Sequence, residues 1–480
     1  MIRKDYDEQI QAWIEENKQR MIDMWLDLVR SPSVKGEPAP GAPFGVACAQ
    51  ALKKATEYGA QMGFQTRLEA DRGYSLITYG EGEKTIGVFG HSDVVPAGDG
   101  WLYTKPFEPI IRDGVVFGRG CFDNKAGVMA GLFATQIIKE CGFPVKSRLL
   151  VYVGSNEESG MADMESFVEH EKTPEVSLVP DATYPCSLGE KGHLKQWNRS
   201  NTPLVDILDF HGDGAFNIVL DHAVVTLKYT PQRFAELTEK VAGNDAFTLA
   251  QAEDGNIVLT AKGASKHSAF PVGSVNAMIL ACQVLAQCET LCESDRQQMQ
   301  TLAKLMDGYY GEGLGIAFEE FGFGKLTCTN GMVKVENGLM SVSVDIRYGA
   351  GYPAEELEAQ LDKAWGEAGW TLTWRQNHHG AKVDPDCPIP ELLTQLTCEL
   401  TGQEYKPYWM AAGTYSRHLK NGITIGARIP DPNSKAILPE FPAGHGSAHQ
   451  RDEYCIIDDW LLGLRLLTHC ILAADEKIHE

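Results

Sequence analysis

The sequence predicts an α/β protein: a mostly parallel, twisted sheet flanked by helices, with an α+β domain inserted into it. Three observations predict this. Apolar runs rich in β-branched residues, such as "TIGVFGH" and "SRLLVYVGSNEE", alternate with helical patterns, the rhythm of a parallel sheet with helices on its faces. After "CSLGEKGH" the texture changes to amphipathic strands and helices, and the first rhythm returns from "PIPELLTQLTCELTG" onward. At 480 residues the chain also exceeds one ordinary core. The expected boundaries are 1–187 and 386–480 for the outer domain and 188–385 for the insertion.

The elements follow in order. "DEQIQAWIEENKQRMIDMWLDLV" spaces Ile10, Trp13, Ile14, Met21, Ile22, Trp25 and Leu28 by threes and fours, which predicts a helix. The prolines of "RSPSVKGEPAPGAPFG" end it, and a second helix is expected from about Val46 to Met62. "YSLITYG" and "TIGVFGH" read as strands, residues 126–140 as an apolar helix, and "VSLVPDAT" as a further buried strand. In the insertion, "NIVLTAKG" and "LMSVSVDIRYG" read as strands. "NAMILACQVLAQCETLCE", which holds Cys282, Cys288 and Cys292, and "PAEELEAQLDKAWGEAG" read as helices.

Composition narrows the function. A formal net charge of −22 disfavours nucleic acid and anionic membrane surfaces, which both require clustered Lys and Arg. The charged N-terminal stretch has no export-signal pattern, and no apolar run reaches the roughly 20 residues of a spanning helix. Twelve cysteines without a C-x-x-C pair point to reduced thiols in the cytoplasm.

The segments that carry chemistry place acids or histidines where an apolar strand ends or a helix begins: "FGHSD" (His91, Asp93), "GRGCFDNKAG" (Asp123), "GSNEESG" (Glu157, Glu158) and "LVPDATYP" (Asp181). In an open parallel sheet the carboxyl ends of the strands line one crevice, where ligands bind. Singly, each has a bland reading, such as a hydrogen-bonded His–Asp pair, a solvated turn or an Asx turn. Together, converging carboxylates would repel unless cations sat among them. Histidine nitrogens with carboxylate oxygens suit zinc or a similar divalent ion, and His91-x-Asp93 fits a carboxylate that orients a ligating imidazole. "PAGHGSAHQRDEY" adds His445 and His449.

With "ASKHSAFPVGSVNA" and "AHQRDEY", these segments resemble in order and spacing the aminoacylase/dipeptidase family of two-metal amidohydrolases, and most of all its dipeptidase V (PepV-like) branch. The resemblance implies that His91 and Asp181 bind one metal, Glu158 and His449 the other, and that Asp123 bridges both. It implies two divalent ions, zinc first, with cobalt or manganese as alternatives. Asp93 would orient His91. Glu157 would be the general base, taking a proton from the water between the metals and passing it to the leaving amine. The peptide after Asp123 is expected to be cis. His449, spaced His-x-x-x-Glu from Glu453, is preferred over His445 as ligand.

The same resemblance makes the insertion a lid. It places Asn217, in "HGDGAFNIVLDHAVV", and His267, in "ASKHSAFP", as donors to the scissile carbonyl, and Arg417, in "AGTYSR", as receiver of the substrate carboxylate. The residues alone leave plainer roles open: a cap, a surface histidine and a surface ion pair. The implied activity is hydrolysis of dipeptides. Deacylation or desuccinylation of N-acyl amino acids on the same site is the alternative, and an inactive metal-binding scaffold a third reading, disfavoured by Glu157 beside a full ligand set. An insertion of about 200 residues exceeds a single ~100-residue domain, which suits a lid covering its own chain's site in a monomer.

Overall fold

The computed structural model describes residues 2–480. The chain forms two compact units. The first comprises the residues up to Gly189 together with Lys382–Tyr408 and Thr414–Glu480, and the second comprises Glu190–Ala381 with Trp409–Gly413. The short return at Trp409–Gly413 lies outside the expected 188–385. It belongs to the second unit because the Lys191 amide donates to the Met410 carbonyl at 2.9 Å and Trp409 packs on Phe323 at 4.6 Å between ring centroids.

The first unit is built on a six-stranded sheet. Its order is Gln65–Glu69, Tyr74–Tyr79, Arg148–Gly154, Thr85–His91, Val176–Ala182, Gly422–Gly426. The last four strands pair in parallel and the first two join antiparallel. Thr85–His91 lies in the middle and is buried from Ile86 onward, so both of its faces are apolar. The helix Lys125–Glu140 is buried from Lys125 to Ile138, which explains a sequence apolar on every side. The helices Lys4–Val29 and Ile457–Ile478 share its core. Trp25 and Trp460 stack at 4.5 Å, and their indole N–H groups donate to the carbonyls of Cys121 and Ala126 at 3.1 Å each. The two tryptophans thus pin the backbone on either side of Asp123.

The second unit carries a nine-stranded sheet with antiparallel pairing along its length. Ala277–Ala286, Glu293–Leu305 and Ala354–Glu367 supply helices to its core. The single helix expected over "NAMILACQVLAQCETLCE" is two. It stops at Ala286, and Cys292 caps the next helix. Glu236 holds the break by accepting from the amides of Glu289 (2.6 Å) and Thr290 (3.0 Å), so Cys282, Cys288 and Cys292 do not share a helix. Among the described residues, no helix is long and apolar enough to cross a membrane.

Candidate metal centre

Thr85–His91 ends with His91 buried at the carboxyl edge of the sheet. The ring Nδ1–H donates to the Asp93 carbonyl oxygen at 3.0 Å, so Nε2 is the nitrogen that faces the site. The Asp93 carboxylate lies 3.4 Å from Nδ1 and accepts from the amides of Glu157 (3.2 Å) and Glu158 (3.1 Å). One aspartate therefore orients both the histidine and the loop that carries the two glutamates.

Asp123 faces two ways. Its Oδ1 lies 3.3 Å from His91 Nε2, and its Oδ2 lies 3.1 Å from His449 Nε2. On the His91 side stand Asp181, 3.7 Å from Nε2, and Glu157, 3.9 Å from it. On the other side Glu158 Oε2 lies 3.0 Å from His449 Nε2. The Asp123–Asn124 peptide is cis. The Asn124 side chain donates to Asp181 Oδ1 and to the Pro180 carbonyl, each at 2.7 Å, and accepts from the His91 amide at 3.3 Å. A Cβ on Gly127 would stand 2.6 Å from both Asn124 Oδ1 and the Pro180 carbonyl, so only glycine lets the helix approach this closely.

His449 adopts a left-handed φ of 64°, rare for a residue with a Cβ and a strain often found at functional sites. Its loop is tied by Gly446 N–H to the Arg451 carbonyl at 2.8 Å. His445 is engaged elsewhere: its Nδ1 pairs with Asp452 at 2.5 Å, and Asp452 also accepts from the amides of Leu102 (2.8 Å) and Tyr103 (3.0 Å). The His445–Asp452 pair fastens this loop to the segment after the His91 motif.

Two supports escaped the sequence reading. Glu453, fully buried, accepts from Arg119 Nη1 at 2.7 Å and from the amides of Gly120, Phe122 and Asp123 at 3.0 Å each. It thereby holds the loop that presents Asp123. Asp163 accepts from the amides of Ser155 (2.7 Å) and Asn156 (2.9 Å) and from the Tyr415 hydroxyl (2.6 Å), which fixes the turn before Glu157. The His-x-x-x-Glu spacing was the one available signal for Glu453; Asp163 had none.

The model of peptidase family M20/M25/M40 matches residues 87–473. The chain belongs to this family. It is 30% identical over 467 residues to the Bacillus subtilis (strain 168) protein named "Putative dipeptidase YtjP", covering 95% of this chain and 97% of that one. Its fold is similar to human carnosine dipeptidase 1, with a TM-score of 0.60 at 14% identity over 98% of this chain and 99% of that one. It is also similar to the M20 metallo-carboxypeptidase Sso-CP2 of Sulfolobus solfataricus, with a TM-score of 0.56 at 14% identity over 95% and 99%. The fold class is that of these M20 peptidases, an α/β unit with an inserted α+β unit.

M20 peptidases use divalent metals, and the side chains fit them. His91 Nε2 is buried and makes no hydrogen bond, although three acids approach it. Two groups, His91–Glu157–Asp181 and His91–Asp123–Glu158, bring their ligand atoms within 4.8 Å of one another. Without cations the groups strain against each other. Burial, with Asp181, Glu158 and Asp123 nearby, holds Glu157 well above the ordinary carboxylate range. Burial and Asp123 push Glu158 up to about 7. The carboxylates of Asp123 and Glu158 hold His449 at about 11. Burial alone would lower His91, but Asp123, Asp181 and Asp93 outweigh it and keep it well above its ordinary value. Acids and imidazoles buried this close together shift one another's proton affinities, as expected of a ligand set that suits divalent cations.

The remaining expected residues lie elsewhere. Asn217 and His267 are exposed residues of the second unit and neighbours: the Ser268 amide donates to the Asn217 carbonyl at 2.9 Å, and Ile218 bridges His267. Behind them is Asp345, which accepts from Ser268 Oγ at 2.9 Å and from Arg347 Nε at 3.0 Å. Arg347, absent from the sequence reading, is thus a buried cation close to His267. Arg417 belongs to the first unit, on the short 3-10 turn Tyr415–His418, next to the buried Tyr415.

Proposed function

We propose that this M20 peptidase is a two-metal dipeptidase of the dipeptidase V type. The observation that carries the reading is Asp123, whose two oxygens point to two separate imidazoles, each with its own further acids. In this reading His91 and Asp181 would hold one ion, Glu158 and His449 the other, with Asp123 available to both; zinc is the first candidate. The ions, when bound, supply Lewis acidity toward the amide carbonyl and lower the pKa of water. Asp93 positions His91, and with it the Glu157–Glu158 loop, through hydrogen bonds at both ends.

Glu157 is the general base. It is buried beside the proposed ligands, 3.9 Å from His91 Nε2, where a carboxylate can take a proton from water and return it to the leaving amine. Asn217 and His267 donate to the carbonyl oxygen as it gains charge. Arg417 receives the substrate's carboxylate. The enzyme works as a cytoplasmic monomer on short, unblocked peptides.

The test is Glu157→Gln in the metal-loaded chain, assayed on dipeptides beside N-acetyl and N-succinyl amino acids. Both metals should remain while kcat falls by about 10²–10⁴. Near-normal turnover removes Glu157 from the mechanism. Cleavage confined to the acylated amino acids replaces the dipeptidase reading with the deacylase one.

A further inference from the structure

The second unit holds a cavity that the proposed mechanism does not use. Its volume is about 270 Å³, just under the roughly 300–1,000 Å³ of drug-sized ligand sites, so it suits a small occupant. All its lining residues lie between Val219 and Asn330, within that one unit. One wall is the helix Ala277–Ala286, started by Asn276, whose side-chain oxygen accepts from the Met278 amide at 2.9 Å. The helix sequence "AMILACQVLA" is apolar on more than one side. Met278, Ala281, Cys282 and Leu285 are spent on the core, which leaves Ile279 and Leu280 to line the cavity. The other wall combines Met306 and Asp307, after the helix Glu293–Leu305, with the end of the strand Thr327–Thr329. Tyr309 ties the two walls together: its hydroxyl donates to the Ser274 carbonyl at 2.5 Å, and its carbonyl accepts from the Cys328 amide at 2.7 Å.

Two polar atoms of this lining lack partners. Asn330 is 0% exposed, and its Nδ2 donates to the carbonyls of Met332 (2.8 Å) and Ser343 (2.9 Å). Those bonds fix the amide, so Oδ1 and the nitrogen cannot trade places. Yet Oδ1 makes no hydrogen bond among the described residues, and neither does Oγ1 of the adjacent Thr329, which is 4% exposed. Buried polar atoms are nearly always paired, so two neighbouring orphans in one cavity ask for a donor from outside. The only charged lining residue is Asp307, which is exposed and therefore marks the open end. The rest of the surface is largely apolar, with Val219, Val275, Ile279, Leu280 and Met306.

This lining selects its ligand by chemistry. An anion finds no Lys, Arg or His here and meets Asp307 instead. A plain hydrocarbon leaves both orphans unmade. Water alone satisfies them but gains nothing from five apolar side chains. We propose that the cavity binds a short aliphatic amine carrying a second hydrogen-bond donor, an amino alcohol in the simplest case. The ammonium pairs with Asp307, the methylenes lie along Ile279, Leu280 and Met306, and the hydroxyl meets Thr329 and Asn330. A hydroxyl suits the buried end better than a second ammonium, because no acid lines that end to pair with a buried charge. The site is independent of the dipeptidase reading, which uses none of these residues.

The experiment is calorimetric titration of the metal-loaded full chain with aminopentanol, pentylamine and pentanoate, repeated on two variants. Aminopentanol should bind saturably with a Kd of about 1 mM or tighter, pentylamine about tenfold more weakly, and pentanoate not at all. Asp307→Asn, an exposed change, should weaken both amines by about tenfold. Thr329→Val keeps the side chain's shape and breaks no hydrogen bond, and it should remove most of the advantage of aminopentanol over pentylamine. The inference is overturned if aminopentanol shows no saturable binding up to about 10 mM. It is equally overturned if pentanoate binds as well as pentylamine, or if either variant leaves the affinities unchanged. An amine held by the acids of the first unit would give that last result, since it would bind both variants like the wild type.

Discussion

Glu453 provides a strong test of how the site is held, because it touches no proposed ligand side chain yet sets where one of them lies. Its side chain and that of Arg119 are each 1% exposed and 2.7 Å apart. Glu453→Ala leaves the buried guanidinium without a counter-charge, a change that typically costs about 3–5 kcal/mol. It also strips acceptors from the amides of Gly120, Phe122 and Asp123. At ~2 °C per kcal/mol for a protein of this size, Tm should fall by roughly 6–10 °C. The melt is done on metal-free protein, because bound ions would add their own stabilisation. Adding Arg119→Met should recover part of the loss, since the uncompensated charge is then gone. Metal analysis of the single variant should show weakened binding, as the Asp123 loop loses its anchor. A Glu453→Ala protein within about 0.5 kcal/mol of wild type, with full metal content, would refute the reasoning.

Three further outcomes are expected. His449→Ala should lose about one metal equivalent by elemental analysis, while His445→Ala should keep both and lower Tm, because His445 fastens a loop through Asp452. Mixing inactive His267→Ala with inactive Glu157→Gln should recover no activity if each chain completes its own site; recovery would mean shared sites and an obligate oligomer. The third concerns pH. His193 has a folded pKa of about 4 against 6.5 unfolded, so the fold binds fewer protons. Its stabilisation is fully present above pH 6.5 and lost as pH falls through 4, roughly 3 kcal/mol in all. Urea titrations from pH 7 to 4 should show a steeper loss in wild type than in His193→Gln; parallel curves would exclude His193 as the cause.

The likeness to M20 peptidases was legible because metal ligation demands residue types that cannot be exchanged. Histidine and carboxylate at strand ends announce themselves whatever the surrounding packing. His91, Asp123, Glu157, Glu158 and Asp181 could be singled out that way, and the structure gathers them with His449 around one another. The helices Lys4–Val29 and Lys125–Glu140 were equally plain, because burial imposes a period on the sequence itself.

The supports were not legible in the same way. Glu453 lies 330 residues from the Asp123 amide it accepts from, and Tyr415 lies 252 from Asp163. Each is an ordinary acid or phenol until folding supplies its partner. The break after Ala286 depends on Glu236, some 50 residues earlier, capturing two amides, so local periodicity ran straight through it. The sequence by itself determined the chemistry that needs particular atoms and the elements that need a period. The tertiary structure alone decided which distant groups neutralise, orient or leave uncompensated those atoms, because that depends on distance in space and carries no signature along the chain.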